Sequence, residues 1–184
     1  MEVIEAIKTR HSIRQYKTIP VDDKDLAIVL EAARWAPSWA NTQCARFVVV
    51  RENQTKAKLA EALNPGNPSA SAIAGAPVVI VACAELGKSG FKRGEVTTDK
   101  GDWFMFDVAL AMQNLTLAAH SLGLGTVHVG LFDAPKVANV LSLPEGVVVV
   151  EMTPLGYPDD EGKVTPRKEL SEIVFYESYG KAGI

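Results

Sequence analysis

The sequence has little cysteine and no excess of one charge. Its two cysteines, Cys44 and Cys83, form no C-x-x-C pair and match no metal-binding spacing. We therefore expect neither a disulfide framework nor a metal site. The formal net charge is −3, whereas nucleic-acid-binding domains usually gather a basic excess on one face. A nucleic-acid partner is not expected.

The sequence also lacks long hydrophobic runs. No apolar stretch reaches the roughly 20 residues that a membrane-spanning helix requires. The amino-terminal residues 1–5 are acidic where a signal peptide is basic, so we expect a cytoplasmic protein without a membrane partner. Hydrophobic residues make up 47% of the 184 residues, an ordinary globular value. This length suits a single domain over residues 1–184.

Hydrophobic periodicity predicts several helices and short buried strands. A first helix ends near Thr9, a second is capped by Asp22, and a short one opens at Asp133. The longest helix runs from Asp102 to Leu122 and is apolar on most of its circumference. We expect it to be shared between the core and a subunit interface. Strands are predicted over residues 47–50, 77–83, 126–130 and 147–152.

Two segments show no periodic pattern. Residues 85–101 are rich in Gly, Lys and Thr, and are predicted to form an irregular excursion from the domain. Residues 173–184 follow the last core element and carry several aromatic side chains. Such an arm is expected to pack on a partner subunit.

A polar cluster lies just after the first helix. Arg10, His11, Ser12 and Arg14 bring two guanidinium groups, an imidazole and a hydroxyl within five residues. Guanidinium and hydroxyl donors suit a phosphate or another dianion. A solvated basic face at the end of a helix is the alternative, and these residues alone do not decide between the two.

The sequence resembles the nitroreductase family of flavoproteins, and the resemblance runs from about residue 2 to 178. It implies an α+β fold with a central, mainly antiparallel sheet flanked by helices. It also implies an intertwined homodimer with FMN sites at its interface and carboxyl-terminal arms that exchange between subunits. The motifs occur in the family's order and are Arg10 to Arg14, Ala36-Pro37-Ser38 with Asn41 and Gln43, Ser121 to Thr126, Gly156-Tyr157-Pro158, and Pro166-Arg167-Lys168.

The resemblance assigns roles to these residues. For the flavin phosphate it implies Arg10, Ser12 and Arg167, with His11 in support and Lys168 less directly involved. For the pyrimidine edge of the ring it implies Arg14, where a positive charge stabilises the reduced flavin. The residues assigned to the ribityl chain and ring are Pro37, Ser38, Asn41 and Gln43.

The resemblance places residues 127–131 beneath the flavin. The backbone N–H of Val129 or Gly130 is expected to face flavin N5, and Gly130 would allow the close approach because it has no side chain. We expect no catalytic acid or base among the side chains. His128 is interpreted as a core or wall residue whose truncation weakens activity modestly.

These features predict an FMN-dependent oxidoreductase. It would pass hydride from NAD(P)H through flavin N5 to a nitroaromatic, quinone or enone in a ping-pong cycle. Alternatives are a flavin-binding protein with little reductase activity, a reductive dehalogenase on the same scaffold, and an anion-binding domain without flavin. The sequence departs from the family pattern at Trp39, at Cys44-Ala45 and at Glu169, so the substrates of better-known relatives are not carried over.

Overall fold

A computed structural model describes residues 1–181, so the end of the predicted arm, residues 182–184, lies outside the described residues. Seven helices and six strands are described within that range. The helices are α1 Val3–Thr9, α2 Asp23–Arg34, α3 Asn53–Ala60, α4 Ala70–Gly75, α5 Phe104–Ser121, α6 Ala134–Val140 and α7 Leu170–Ile173, and a 3-10 turn covers Trp39–Asn41. The strands are β1 Ala45–Val50, β2 Val78–Glu85, β3 Phe91–Lys92, β4 Glu95–Val96, β5 Gly125–Thr126 and β6 Val147–Gly156.

The central sheet has the strand order β1-β2-β6-β5, and each neighbouring pair is antiparallel. Strand β2 is buried on both faces, which explains its unbroken apolar sequence. Ile80 packs toward α2 and α5, while Val81 packs toward α3, α4 and α6. The predicted α+β fold with a mainly antiparallel sheet and flanking helices is confirmed.

Capping residues define several helix ends as expected. The Asp22 carboxylate accepts a hydrogen bond from the Lys24 backbone N–H at 2.8 Å, and that of Asp133 accepts one from Lys136 at 3.0 Å. Gly123 has φ +76° directly after the carboxyl-terminal cap of α5. At the other end, α5 begins at Phe104, and the Asp102 carboxylate accepts from the Phe104 N–H at 3.1 Å.

Helix α5 is only partly covered by the rest of the chain. Val108, Met112 and Leu115 are fully buried against the sheet, whereas Met105 and Phe106 are more than half exposed. Helix α1 also presents apolar side chains to the outside. The predicted contribution of α5 to the core is therefore present, and apolar surface remains uncovered in the single chain.

The strand predicted over residues 126–130 is interrupted in the structure. Regular pairing stops after Thr126 and resumes at Val129, which pairs with Met152 in the register set at the start of β5. That register places Val127 opposite Pro154. Because proline has no N–H to donate to a ladder, one hydrogen bond of the Val127 pair cannot form.

The segment over residues 85–101 contains a hairpin where an irregular excursion is predicted. Strands β3 and β4 pair through a tight turn at Arg93 and Gly94, whose φ angles are +54° and +83°. Positive φ at both turn positions is typical of two-residue hairpin loops. Two-residue strands are too short to produce a detectable hydrophobic period.

Candidate functional site

A basic cavity of about 660 Å³ lies where the amino-terminal motif meets the tail. Its cationic side chains outnumber its single carboxylate. Among the residues 1–181, no carboxylate lies within 4.0 Å of the Arg10, Arg14 or Arg167 guanidinium groups. The residues that line this basic cavity are Arg10, His11, Ser12, Arg14, Gln15, Asp160, Gly162, Lys163, Thr165 and Arg167.

Arg10 and Arg167 are close enough to influence each other. Partial burial lowers the pKa of the Arg10 guanidinium from its ordinary value, and the nearby charge of Arg167 lowers it further. Both effects disfavour the charged form of Arg10 in the free protein. A bound dianion would offset both effects, so the basic cavity is suited to an anionic ligand.

Backbone contacts hold the two ends of the chain together at this cavity. The Ile13 N–H donates to the Thr126 carbonyl at 2.9 Å, and the Asp159 N–H donates to the Gln15 carbonyl at 2.9 Å. Gly162 lies directly against the His11 ring, where an added Cβ would come within 2.3 Å of a ring carbon. The tail can therefore pack against His11 only because position 162 has no side chain.

A second group of predicted residues lies in the loop 38–44, which a buried carboxylate holds in place. Asp107 on α5 is 2% exposed. It accepts a hydrogen bond from the Trp39 N–H at 2.9 Å and one from the Ser89 hydroxyl at 2.7 Å. The Cys44 thiol also lies 3.5 Å from this carboxylate, and burial together with the Asp107 charge raises the pKa of that thiol to about 12.

The loop 38–44 has an unusual backbone. Ala40, Asn41 and Gln43 have φ angles of +44°, +56° and +50°. Side chains with a Cβ adopt this region rarely and at a cost of about 1 kcal/mol or more each. The Ser38 hydroxyl accepts from the Gln43 N–H at 2.9 Å and so stabilises this conformation. Such strain is frequent at ligand-binding loops.

The structure brings only some of the predicted residues into cavities. Pro37, Ser38 and Gln43 line a pocket of about 360 Å³ together with Asp107. Asn41 does not line this pocket, and Lys168 does not line the basic cavity, although its neighbour Arg167 does.

The pocket of loop 38–44 and the basic cavity lie at opposite edges of the sheet. The pocket lies at Asp107, near the start of α5 and beside β1. Arg10 and His11 lie near the end of the same helix, where the His11 and His120 rings are 6.2 Å apart. Positions 107 and 120 are roughly 20 Å apart along a helix that rises about 1.5 Å per residue. The two groups of residues therefore do not meet within one chain.

The expectation that Val129 or Gly130 offers a free N–H is wrong for Val129. Its N–H donates to the Met152 carbonyl at 2.9 Å, and its side chain is buried. Gly130 is exposed, and a Cβ built there would meet no atom of the described chain within 4 Å. No internal packing within residues 1–181 thus requires a glycine at this position.

His128 is not a core residue, because its side chain is 39% exposed. Its Nδ1 lies 2.7 Å from a carboxylate oxygen of Glu151, whose side chain is 15% exposed. Since a carboxylate accepts hydrogen bonds, Nδ1 carries the proton of this contact. No group of three or more His, Cys, Asp or Glu residues in the part of the chain that the structure describes could hold a metal ion.

The sequence reasoning missed Asp107 and Glu151. Asp107 has a visible signal, because it lies four residues before Ala111 on the buried stripe of α5. A lone carboxylate on an apolar helix face is expected to have polar partners. Glu151 likewise interrupts the apolar run of β6, but its partner depends on the strand register.

Comparisons with known proteins agree with this fold. A family model described as "Nitroreductase family" matches residues 7–72 and 64–157. A putative NADH dehydrogenase/NAD(P)H nitroreductase of Methanothermobacter thermautotrophicus is 35% identical over 162 residues, which covers 86% of this chain and 78% of that protein. An FMN reductase [NAD(P)H] of Bacillus subtilis is 30% identical, covering 97% of this chain and 74% of that protein.

Solved structures give the same result. A nitroreductase family protein from Clostridium novyi NT superimposes with a TM-score of 0.78 at 31% identity, covering 99% of this chain and 97% of that one. Nitroreductase A from Vibrio parahaemolyticus superimposes with a TM-score of 0.84 at 27% identity, covering all of this chain and 79% of that one. No helix within residues 1–181 has both the length and the apolar character to span a bilayer.

Proposed function

The chain belongs to the nitroreductase family, and from that premise we propose that it is an FMN-dependent oxidoreductase. It takes hydride from NAD(P)H and passes it to a small nitroaromatic, quinone or enone in two separate half-reactions. The observation that carries the proposal is the basic cavity, whose guanidinium groups have no carboxylate partner among the described residues.

The basic cavity fits the phosphate of FMN. Arg10 and Arg167 supply charged donors from opposite ends of the chain, and Ser12 adds a hydroxyl. Partial burial and then the charge of Arg167 lower the pKa of Arg10, and no carboxylate of residues 1–181 lies within 4.0 Å of either guanidinium group. We place Arg14 in the same cavity and assign His11 to the support of the tail through its contact with Gly162.

The flavin ring fits next to Gly130. Ser12 pairs with Thr126, and Gly130 lies four residues further along an extended backbone, a span of about 13 Å. A five-carbon chain that carries a phosphate at one end and a ring system at the other can bridge this distance. The open space at Gly130 allows a flat ring to approach the backbone, and its N–H makes no backbone hydrogen bond within residues 1–181.

The remaining wall of the site comes from a second copy of the chain. The loop 38–44 lies about 20 Å from the basic cavity along α5, and the exposed apolar residues of α1 and α5 offer a surface for association. We therefore propose a homodimer in which Pro37, Ser38, Asn41 and Gln43 of one subunit approach the flavin held by the other. The tail, with Tyr176 and Tyr179 exposed, is proposed to exchange between subunits.

Bound FMN would supply the hydride chemistry. The chain's own residues bind and orient it: Arg10, Ser12 and Arg167 hold the phosphate, and the Gly130 backbone faces the ring. The two half-reactions require one open face, which the exposed surface at Gly130 provides.

The test is the visible spectrum of the purified protein followed by turnover. We expect absorbance near 450 nm, bleaching on addition of NADH or NADPH, and recovery with a quinone. Colourless protein that does not take up added FMN would reject the proposal. Bound flavin that neither nucleotide reduces would favour a binding protein with little reductase activity. This alternative is motivated by Trp39, where the sequence departs from the family pattern. The Trp39 ring lies 6.0 Å from the Lys92 ammonium.

A further inference from the structure

We infer that His128, held by Glu151, donates a proton to the electron acceptor at this site. The inference rests on the proposed function, because it assigns a role to side chains beside the proposed ring position. It differs from the sequence-based interpretation, in which no side chain acts as an acid and His128 is a wall residue.

The contact between the two side chains orients the imidazole. The Glu151 carboxylate lies 2.7 Å from His128 Nδ1 and is largely shielded from solvent, with 15% of its side chain exposed. Nδ1 therefore carries a proton, and the second ring nitrogen, Nε2, points away from the carboxylate. Among residues 1–181, Nε2 of His128 has no hydrogen-bond partner, so it is free to contact a ligand.

The strand register places this pair beside Gly130. Pairing of Val129 with Met152 puts Gly130 opposite Glu151, and residues 128 and 130 share one face of an extended chain. The Cα atoms of residues 128 and 130 are thus roughly 7 Å apart, on the same face of the chain. Thr153, opposite His128, is fully buried and donates to the Pro154 carbonyl at 3.1 Å, so it does not compete for the ring.

The pair contains the only titratable side chains of the two facing segments, residues 126–130 and 151–155. A histidine can hold and release a proton near neutral pH, and a carboxylate on its other nitrogen fixes the ring orientation. A carboxylate largely shielded from solvent gains little net stability from one polar partner, because the cost of removing it from water offsets the attraction. Proton donation is therefore a better account of the arrangement than stabilisation of the sheet.

The proton balance of quinone reduction shows what the pair would do. One quinone oxygen receives the hydride, with its electron pair, from the reduced cofactor. The donor is the doubly protonated ring, with Nδ1–H held by Glu151: the other oxygen takes the second proton, from Nε2, so that the Nε2–H bond breaks and an O–H bond forms. His128 is left neutral and regains a proton from water at its exposed edge. Nitro and enone acceptors have the same need for a proton, whereas ferricyanide takes electrons alone.

The first test compares acceptors in the FMN-loaded protein. We expect His128→Gln to lower the ratio of benzoquinone turnover to ferricyanide turnover about tenfold. This is below the usual contribution of a positioned acid, because water also reaches the site. The solvent deuterium isotope effect on quinone reduction should change as well. Glu151→Gln should lower the same ratio, whereas the loop variant Glu145→Gln should not.

The second test does not depend on turnover. In nitrogen-15 spectra of the cofactor-free protein, His128 should show a protonated Nδ1 that Glu151→Ala, which removes the acceptor oxygen, shifts to Nε2 and that Glu145→Ala retains. An unchanged acceptor ratio in His128→Gln, or an unprotonated Nδ1 in the native protein, overturns the inference and leaves the proposed function intact. Native protein whose flavin is not reduced by NADH or NADPH overturns the proposed function itself.

Discussion

The basic cavity and the loop 38–44 differ in how their charged side chains are compensated. In the basic cavity, cationic side chains from two ends of the chain face one another without a carboxylate partner within residues 1–181. In the loop, one buried carboxylate, Asp107, receives donors from the loop itself and from Ser89. An anionic ligand would offset the repulsion between the cationic side chains of the basic cavity. The Asp107 carboxylate already has its hydrogen-bond donors within the chain.

The charges of the basic cavity contribute to ligand binding, whereas the Asp107 carboxylate contributes to the folded geometry of the loop 38–44. Side chains that repel one another in the free protein recover that energy when an anion binds, so they contribute to affinity rather than to stability. A buried carboxylate with its donors stabilises the folded protein and fixes the geometry of a strained loop. Substitutions in the two regions should therefore separate the free energy of unfolding from cofactor affinity.

The largest effect is expected from Asp107→Ala. It leaves the half-buried Trp39 N–H and the buried Ser89 hydroxyl without their acceptor, which should lower the free energy of unfolding by about 3 kcal/mol. Urea denaturation measures this change. Asp99→Ala removes an exposed carboxylate that, within residues 1–181, forms an ion pair with Lys100 alone. It serves as the control, with a change within about 0.5 kcal/mol. Equal stability of the two variants would contradict the role given to Asp107.

The next largest effect is a loss of cofactor affinity without a loss of stability, and it is expected in the basic cavity. Arg10→Ala should weaken FMN binding by about 2 kcal/mol, or roughly 30-fold, because a charge-assisted contact is lost. It should not reduce the melting temperature of the cofactor-free protein, since it removes a repulsion with Arg167. Flavin fluorescence titration and thermal unfolding measure the two quantities.

The control for Arg10 is Arg51→Ala, which removes an exposed arginine paired with Asp23. FMN affinity should be unchanged in this variant. Unchanged affinity in Arg10→Ala would show that the cavity does not hold the phosphate.

Gly130→Ala tests the proposed ring position between these two regions. The added methyl group meets no atom of the described chain within 4 Å, so the free energy of unfolding should not fall by more than about 0.5 kcal/mol. FMN affinity should nevertheless drop about tenfold, because the ring can no longer approach the backbone. Gly66→Ala would be a poor control because Gly66 has φ +81°; Ser121→Ala, on the exposed end of α5, is suitable.

The smallest effect concerns His120. Burial, then the nearby His11 and Arg10, lower the pKa of its imidazole. The folded protein therefore binds a proton at this site less readily than the unfolded chain does, and stability should fall as the pH drops below about 6.5, the ordinary histidine value. The amount is no more than roughly 0.5 kcal/mol because solvent screens the site. His120→Gln should flatten this part of the stability–pH curve; an unaltered curve would contradict it.

The features predicted correctly from sequence are those that local chemistry determines. Helix caps at Asp22 and Asp133 and the left-handed Gly123 can be read from the residue and its neighbours. The interruption near Val127 could not be predicted, because it depends on Pro154 of another strand. The separation of Ser38 from Arg10 likewise required the path of α5 across the sheet. Motif order alone brings both groups into one site, whereas the described chain holds them about 20 Å apart along α5.

The contact of Gly162 with His11 also has a consequence for the order of events in folding. The basic cavity joins Arg10 and Arg167, so it cannot exist until a loop of nearly the whole chain has closed. Such non-local contacts form late because the entropy of loop closure precedes their gain. If Arg10 and Arg167 hold the phosphate as proposed, capture during synthesis requires that Arg167 has left the ribosome. On the proposed function, cofactor binding would therefore follow synthesis of the tail through Arg167 rather than formation of the core.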